Sequence, residues 1–366
     1  MFGRPRRTIS TDPVPGTQAV LWAYRLLLGR EPESAAILAQ HASAGPATWE
    51  FIRERFLNSE EFAAALRPFQ LSLTRRYPSR DLLAPFADGS DAVGEPGFFR
   101  DVFGVRTRCA FMPESMAGFG GQVGRLDRVP VLGLHDVPEL EYFLQSIEVA
   151  RGRLTVVELG AGWGPWIVLG AVLGRRRELA VRLVAVEGAE EHVDFMREHL
   201  RDNGIEPADH RLLHAVVGAC DGVAHFPRLA AAREEWGGEA QFNTAPGNAT
   251  LTTVTSDVAA LPCVSIATLL DELDRVDVLH CDIQGAEADA IRAGIDVLTT
   301  RVRRIIVATH RRAIESELHH LLFDRGWHLE ADQACQMIDV GDRLVLIQDG
   351  VQVWRNDRIA ERAPAH

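Results

Sequence analysis

The sequence predicts an α/β domain with a mostly parallel sheet, preceded by a small all-α unit. Three observations carry the prediction. From about residue 150 onward, short apolar runs alternate with helical patterns, as strand–helix repeats that build a parallel sheet do. Among them, LTVVELGAGWGPW at 154–166 reads as a buried strand entering a turn at Gly160, Gly162 and Gly164. Residues 14–68, by contrast, carry apolar side chains at helical spacing.

Composition sets the outer limits. The 366 residues suffice for one large domain of roughly 200–250 residues and a small one. With 46% hydrophobic and 25% charged residues, the make-up is that of a soluble globular protein. A formal net charge of −12 argues against a general nucleic-acid binder, which needs a clustered excess of Lys and Arg. The basic start MFGRPRRTIS is followed by no apolar stretch of signal-peptide length, and no run approaches ~18 apolar residues, so a cytoplasmic protein without a membrane span is expected. Cys109, Cys220, Cys263, Cys281 and Cys335 are scattered without CxxC spacing and are expected as small core residues, not as a disulfide framework or zinc finger.

Within residues 14–68, Val20, Tyr24 and Leu27 or Leu28 share a helical face that Gly29 is placed to stop. Pro32 suits the first turn of a second helix ending near Ala44. Trp49, Ile52 and Phe56 mark a third, and Ser59 can cap a fourth carrying Phe62 and Leu66. The phrase YRLLLGREP followed by FLNSEEF is similar to a small helical module of the YRxxLGRxP type found in bacterial proteins, often beside enzymes acting on carbohydrate. Residues 69–135 then gather Pro, Gly, Asp and Ser, the composition of a linker and of loops wrapping the next domain.

The large domain is expected over 136–356. Leu140, Phe143, Leu144 and Ile147 define a helix that delivers the chain into the strand at 154. After the glycine turn come a helix over 167–173, a strand over 181–186 ending at Glu187, a helix over 190–203 and a third strand over 212–217 with an extension at 223–226. Residues 229–260 are non-periodic, which in such a domain suggests a lid or binding loop. The alternation resumes with a helix near 266–273, a strand over 276–281 entering DIQGAE, a strand over 305–309 ending at His310, and a helix over 313–325. Strand candidates at 328–332, 344–347 and 351–354 complete it. In such sheets ligands bind outside the carboxyl ends of the strands, where the polar candidates all lie.

Two anchors carry the chemistry. Glycines let the turn after the first strand approach a nucleotide-like ligand, and the next helix points its N-terminal N–H groups into the same crevice. Glu187, ending the second strand, is placed to grip a ribose diol. The second anchor is HCDIQGAE at 280–287, where His280 and Asp282 share one side of a strand and Gly285 lets the chain turn away after Gln284. An Asp in this place can position or deprotonate a hydroxyl or hold a divalent metal, and His310 comes close to it if their strands are neighbours. Trp236, Phe242 and Asn243 of the long insert could stack on and hydrogen-bond a sugar.

The order ELGAGWGPW, VEG, HAVVGACDG, HCDIQGAE and ATH resembles the FkbM-type family of S-adenosylmethionine-dependent methyltransferases over about residues 150–347. DIQGAE, similar to the family's DxEGxE, is the selective element, and Gln284 departs from it by standing where an acidic residue is common. The resemblance implies a Rossmann-like class I methyltransferase domain. It places the amino acid end of S-adenosylmethionine at Glu158, Gly160, Ala161, Gly162 and Trp163, the ribose at Glu187 and Gly188, and the adenine amino group at Asp221, with Asp282 bordering the cofactor. Family members methylate oxygen of sugars and related hydroxyl compounds. The implied catalytic set is Asp282 and His310 as base and orienting group, with His280 and Gln284 beside them and Trp236 and Asn243 toward the acceptor. A divalent metal such as Mg would be held by Asp282 and His310.

The expected activity is therefore methyl transfer to a hydroxyl of a sugar, a glycan or a glycosylated small molecule, with a homo-oligomer as one assembly open to the chain. A nicotinamide-dependent oxidoreductase fits the glycine turn and Glu187 loosely, but Pro165 stands where the third glycine of the dinucleotide fingerprint would lie. A non-catalytic binding protein with a degenerate cofactor site fits less well, because the glycines and acids are intact.

Overall fold

A computed structural model describes residues 16–25, 31–43, 55–56, 80–126, 137–242, 258–341 and 344–359. The chain divides into two compact units, Met1–Tyr77 and Pro78–His366. In the first, helices α1 (Gly16–Ala23) and α2 (Ala35–Ser43) are described. Val20, Tyr24 and Phe56 are buried there with Ile37 and Leu38 packed against them, and the Tyr24 and Phe56 rings meet edge to face at 5.2 Å. The helix expected to start at Ser59 lies outside the described residues.

The second unit opens with α3 (Arg80–Leu83) and the hairpin of β1 (Phe98–Arg100) and β2 (Arg106–Arg108). Leu83, Phe86, Val102 and Phe103 from this stretch are buried in the same core as Trp166 and Ile167. Arg108 pairs with Asp202 at 2.6 Å. The chain then runs through α4 (Val137–Val149), β3 (Arg153–Leu159), α5 (Pro165–Arg176), β4 (Ala180–Glu187), α6 (Glu190–Asp202) and β5 (Arg211–His214). Strands β6 (Val216–Gly218), β7 (Gly222–Pro227), β8 (Gln241–Phe242) and β9 (Val258–Ser265) follow, then α7 (Ile266–Leu270), β10 (Val278–Cys281), α8 (Glu287–Ala293), α9 (Ile295–Arg301) and β11 (Arg304–Thr309). The remainder is α10 (Arg312–Asp324), β12 (His328–Gln333), β13 (Gln336–Asp339), β14 (Leu344–Gln348) and β15 (Gly350–Arg355).

Seven strands form the main sheet in the order β12-β15-β11-β10-β3-β4-β5. Only β15 runs against its neighbours. Because strand side chains alternate, β3 feeds two cores at once: Leu154 and Val156 join Phe143 and Trp166 on one face, while Val157 and Leu159 join Leu279 and Ile291 on the other. Helices thus cover both faces, which gives the Rossmann-like class I architecture. From β3 the chain steps outward one way to β4 and β5, and later the other way through β10 to β11. The strand order reverses between β3 and β10, and the carboxyl ends of these two strands border the crevice where such sheets bind ligands.

Three expectations need correction. The run 212–217 is not one strand: its first part is β5 of the main sheet, whereas β6 leaves it for a four-stranded sheet of order β6-β9-β7-β8. The candidate at 344–347 pairs with β13 in a separate hairpin and is not part of the main sheet. The stretch read as irregular to residue 260 already enters β9 at Val258. Among the described residues, no helix is long and apolar enough to cross a membrane.

Candidate active site

The two anchors meet at the reversal point. Asp282 N–H donates to the Leu159 carbonyl at 2.8 Å, and a Cβ on Gly160 would overlap the Asp282 carbonyl oxygen. Gly160 also has φ 74°, so only glycine serves here without strain. Gly162 (φ 53°) donates its N–H to Glu187 Oε2 at 2.8 Å, and Glu187 Oε1 accepts from Ala189 N–H at 2.7 Å. Glu187 therefore closes the glycine turn onto the end of β4. Gly188 is crowded by the Phe226 ring, and Ala161 is buried in the core beside Trp166.

Glu158 sits behind this turn. It is 1% exposed and accepts from the N–H groups of Trp166 (3.3 Å) and Ile167 (3.0 Å) at the start of α5. Burial raises its carboxyl to about 8 against the attraction of His280 and these donors. It orders the turn from below. Asp221 is also otherwise engaged: it accepts from Ser265 N–H at 2.7 Å and Thr268 Oγ1 at 2.6 Å, capping α7 together with Ser265. The Thr268 hydroxyl, then the Ser265 amide, hold its carboxyl below the usual range.

Residues 229–240 of the insert cross from one anchor to the other. Trp236 stacks on His192 (4.1 Å, 9°), meets Trp163 edge to face at 4.7 Å, and lies where a Cβ on Gly162 would touch it. Farther along, Glu239 pairs with Arg311 at 2.9 Å, and Gly237 lies against the Gln284 amide. Trp163 carries a buried indole N–H without a hydrogen-bond partner. Trp166 packs in the core. Asn243 lies outside the described residues, and Phe242 is partly exposed on β8.

The DIQGAE turn is built by Glu287, a residue the sequence reading quoted but did not single out. Fully buried, it accepts from Ile283 N–H (3.2 Å) and Gly285 N–H (2.9 Å), and from His310 Nδ1 at 3.0 Å. Strands β10 and β11 are neighbours as expected, and His310 Nε2 comes 3.2 Å from Asp282 Oδ1. That nitrogen makes no hydrogen bond, so the approach lies off the line of its N–H. A second carboxylate, Asp349 from the turn between β14 and β15, places Oδ1 3.8 Å from the same nitrogen. Gln284, at φ 55°, donates its amide to Asp282 Oδ1 at 2.7 Å. A carboxylate at 284 would need a shared proton to make this contact, and the amide needs none.

These contacts set the charges. Burial opposes the His310 cation, but Asp282 and Glu287 outweigh it and raise the imidazole to about 10. Burial also works to raise Asp282, yet His310 and His280 hold it below the usual carboxylate range. Asp349 is raised by burial and by the neighbouring acids, against the pull of His310. His280 does not join the cluster as a reacting group. It is 4% exposed, bonded through Nε2 to Glu139 at 3.0 Å and packed on Trp166 at 4.9 Å.

Asp282, Glu287 and His310 offer ligand atoms within 4.8 Å of one another. As one coordination shell they do not fit an ion, because Glu287 Oε1 already serves two backbone N–H groups and His310 Nδ1, and Oε2 accepts from Gly285.

The sequence model of the methyltransferase FkbM domain matches residues 175–343. A putative methyltransferase of Jannaschia sp. (strain CCS1) is 32% identical over 270 residues, which span 72% of this chain and 94% of that protein. Among solved structures, the methyltransferase FkbM of Methylobacillus flagellatus KT is similar at 12% identity and TM-score 0.36, over 57% of this chain and 45% of that one. A precorrin-6y C5,15-methyltransferase of Geobacter metallireducens GS-15 is similar at 14% identity and TM-score 0.34, over 59% and 87%. With the extent of the first two matches, the chain belongs to the FkbM methyltransferase family.

Proposed function

We propose that this methyltransferase uses S-adenosylmethionine and transfers its methyl group to a hydroxyl oxygen of a sugar, a glycan or a glycosylated small molecule. The observation that carries the reading is the abutment of the glycine turn on Asp282, which sets a nucleotide-binding loop and an ionised carboxylate side by side at the strand reversal.

The residues at the turn fit the cofactor. Two of the about four acceptor sites on the Glu187 carboxylate are taken by backbone N–H groups, which leaves about two for a ribose diol. The orphaned Trp163 indole N–H is a donor beside the same loop. Bound there, the sulfonium supplies an electrophilic methyl group, and the work left to the protein is positioning and proton removal.

Asp282 does the second task. Its carboxylate is already ionised, and Oδ2 accepts no hydrogen bond among the described residues. A low basicity suffices, because a hydroxyl oxygen forming its third bond becomes more acidic than a carboxylic acid. His310 holds its own proton and acts by orienting Asp282 and balancing its charge. Trp236, over the turn and within the segment that reaches Gln284, would bound the acceptor's space.

Calorimetry with S-adenosylmethionine, S-adenosylhomocysteine and NAD tests the cofactor, and transfer of labelled methyl to a panel of glycosides tests the acceptor. Binding of the first two without NAD supports the reading. Binding of NAD alone would overturn it.

A further inference from the structure

We propose that the acceptor is a vicinal diol, whose non-reacting hydroxyl bridges His310 Nε2–H and Asp349 while its neighbour is presented to Asp282. For the reacting hydroxyl this rests on the reading above, and what it adds is Asp349 as the residue that selects the acceptor.

Two unmatched groups face each other beside Asp282. His310 is 8% exposed and donates through Nδ1 to Glu287 Oε1 at 3.0 Å, while its Nε2 is buried without a hydrogen bond. Asp349, in the turn between β14 and β15, accepts no hydrogen bond among the described residues, and its Oδ1 stands 3.8 Å from that nitrogen. Buried polar groups are nearly always paired, so an orphaned imidazole nitrogen beside an open carboxylate points to a partner that arrives with the ligand.

The chemistry of the gap selects that partner. Because the imidazole keeps its proton between the neighbouring acids, Nε2–H is a donor. A separation of 3.8 Å is too long for a direct hydrogen bond, but one oxygen about 2.8 Å from each group closes it. That oxygen must accept from the imidazole and donate to the carboxylate, and a hydroxyl does both. An ammonium cannot accept and would lie against a cation, whereas an ether or carbonyl oxygen leaves Asp349 without a donor. Water meets the same two demands, and a ligand hydroxyl that displaces it reproduces both bonds.

Asp282 fixes where the reacting hydroxyl lies. Its Oδ1 is 3.2 Å from the same nitrogen and is held by the Gln284 amide, which leaves Oδ2 for that hydroxyl. Both carboxylates approach one nitrogen, so the two hydroxyls they receive sit side by side, as on adjacent carbons. Once the bridging oxygen is itself an ether it cannot donate to Asp349, so a diol already methylated at that position is a poor acceptor. A site that hydrogen-bonds a hydroxyl discriminates strongly against analogues lacking it, and with the Asp349 side chain 46% exposed the expected factor is about 100-fold.

The test uses the full chain, labelled S-adenosylmethionine and the methyl glycosides of mannose, glucose and rhamnose. Each glycoside that takes up methyl is compared with two analogues, in which the hydroxyl beside the methylated position is replaced by hydrogen or by methoxy. A fall in kcat/KM of about 100-fold is expected in both analogues. Asp349→Ala should lower kcat/KM for the diol and narrow that ratio to below about tenfold, and Asp349→Asn, which keeps an acceptor oxygen, should fall between. Thermal melting of both variants separates lost recognition from lost fold. Equal turnover of diol and analogues, or a ratio unchanged in Asp349→Ala, would overturn the diol and leave hydroxyl methylation standing. Absence of transfer to every glycoside, with S-adenosylmethionine bound, removes the hydroxyl reading itself and the diol with it.

Discussion

The carboxylates around the glycine turn and those around the DIQGAE turn sit in one crevice but are treated differently. Glu158 and Glu187 spend both oxygens on backbone N–H groups, and Asp221 beyond them caps a helix. Such acids hold a loop in shape, and their burial is compensated locally. Asp282 and Asp349 face instead a buried imidazole nitrogen that makes no hydrogen bond, and both remain partly open to solvent. What remains for a ligand is about two acceptor sites on Glu187 and most of those on Asp282. Position alone does not separate the acids, since Glu158 and Asp282 both lie at strand ends next to the same turn.

The comparison breaks first at Asp282. Asp282→Asn keeps the size and the Gln284 contact but removes the proton acceptor, and should lower methyl transfer about 10²–10⁴-fold. Binding of S-adenosylmethionine by calorimetry should stay within about threefold, as no backbone group loses its partner. Undiminished transfer would remove Asp282 from the chemistry.

The next effect is on stability and belongs to the turn. Gly160→Ala combines a left-handed φ of 74° with overlap on the Asp282 carbonyl, and should cost about 2–4 kcal/mol in urea unfolding. A cost under about 1 kcal/mol would mean that the two anchors are not pressed together. Glu187→Gln is milder. It retains one acceptor for Gly162 or Ala189 but loses the charge and leaves the other N–H without a partner, so S-adenosylmethionine should bind about 10–100-fold more weakly and stability should fall by about 1–2 kcal/mol.

The legibility of these two regions in the sequence differs for a physical reason. Strands β3, β4, β10 and β11 are buried on both faces, read as apolar runs and end in polar residues, so the sheet and its active end were visible. The break between β5 and β6 was not, because Ala215 and Val216 remain buried after the chain changes sheets. Glu287 was visible as a letter of its motif, but its work depends on an imidazole 23 residues away. Asp349 had no local signal. It reaches His310 only because β15 lies antiparallel to β11 with Gly350 opposite Thr309. Helices α8 and α9 after the DIQGAE turn were likewise not anticipated; each is only seven residues long and α9 follows at Gly294.

The smallest expected effect falls on the support of the turn. His199 is 1% exposed, with Nδ1 3.1 Å from the Trp163 carbonyl and Nε2 3.1 Å from Thr107 Oγ1. Nδ1–H donates to the carbonyl, and because burial disfavours the imidazolium, the neutral ring's Nε2 accepts from the hydroxyl. Burial accordingly lowers its pKa from 6.5 to about 4. The unfolded chain binds the extra proton first, so the stability held by neutral His199 is complete above pH 6.5 and is lost as pH falls toward 4, at up to about 1.4 kcal/mol per pH unit. His199→Gln can keep one donor and one acceptor and should cost about 1–2 kcal/mol at pH 7, while showing a shallower loss on acidification. Urea midpoints of both proteins at pH 7 and pH 4.5 measure the difference. Parallel slopes would show that the ring is charged in the fold, with Nε2–H donating to Thr107 Oγ1.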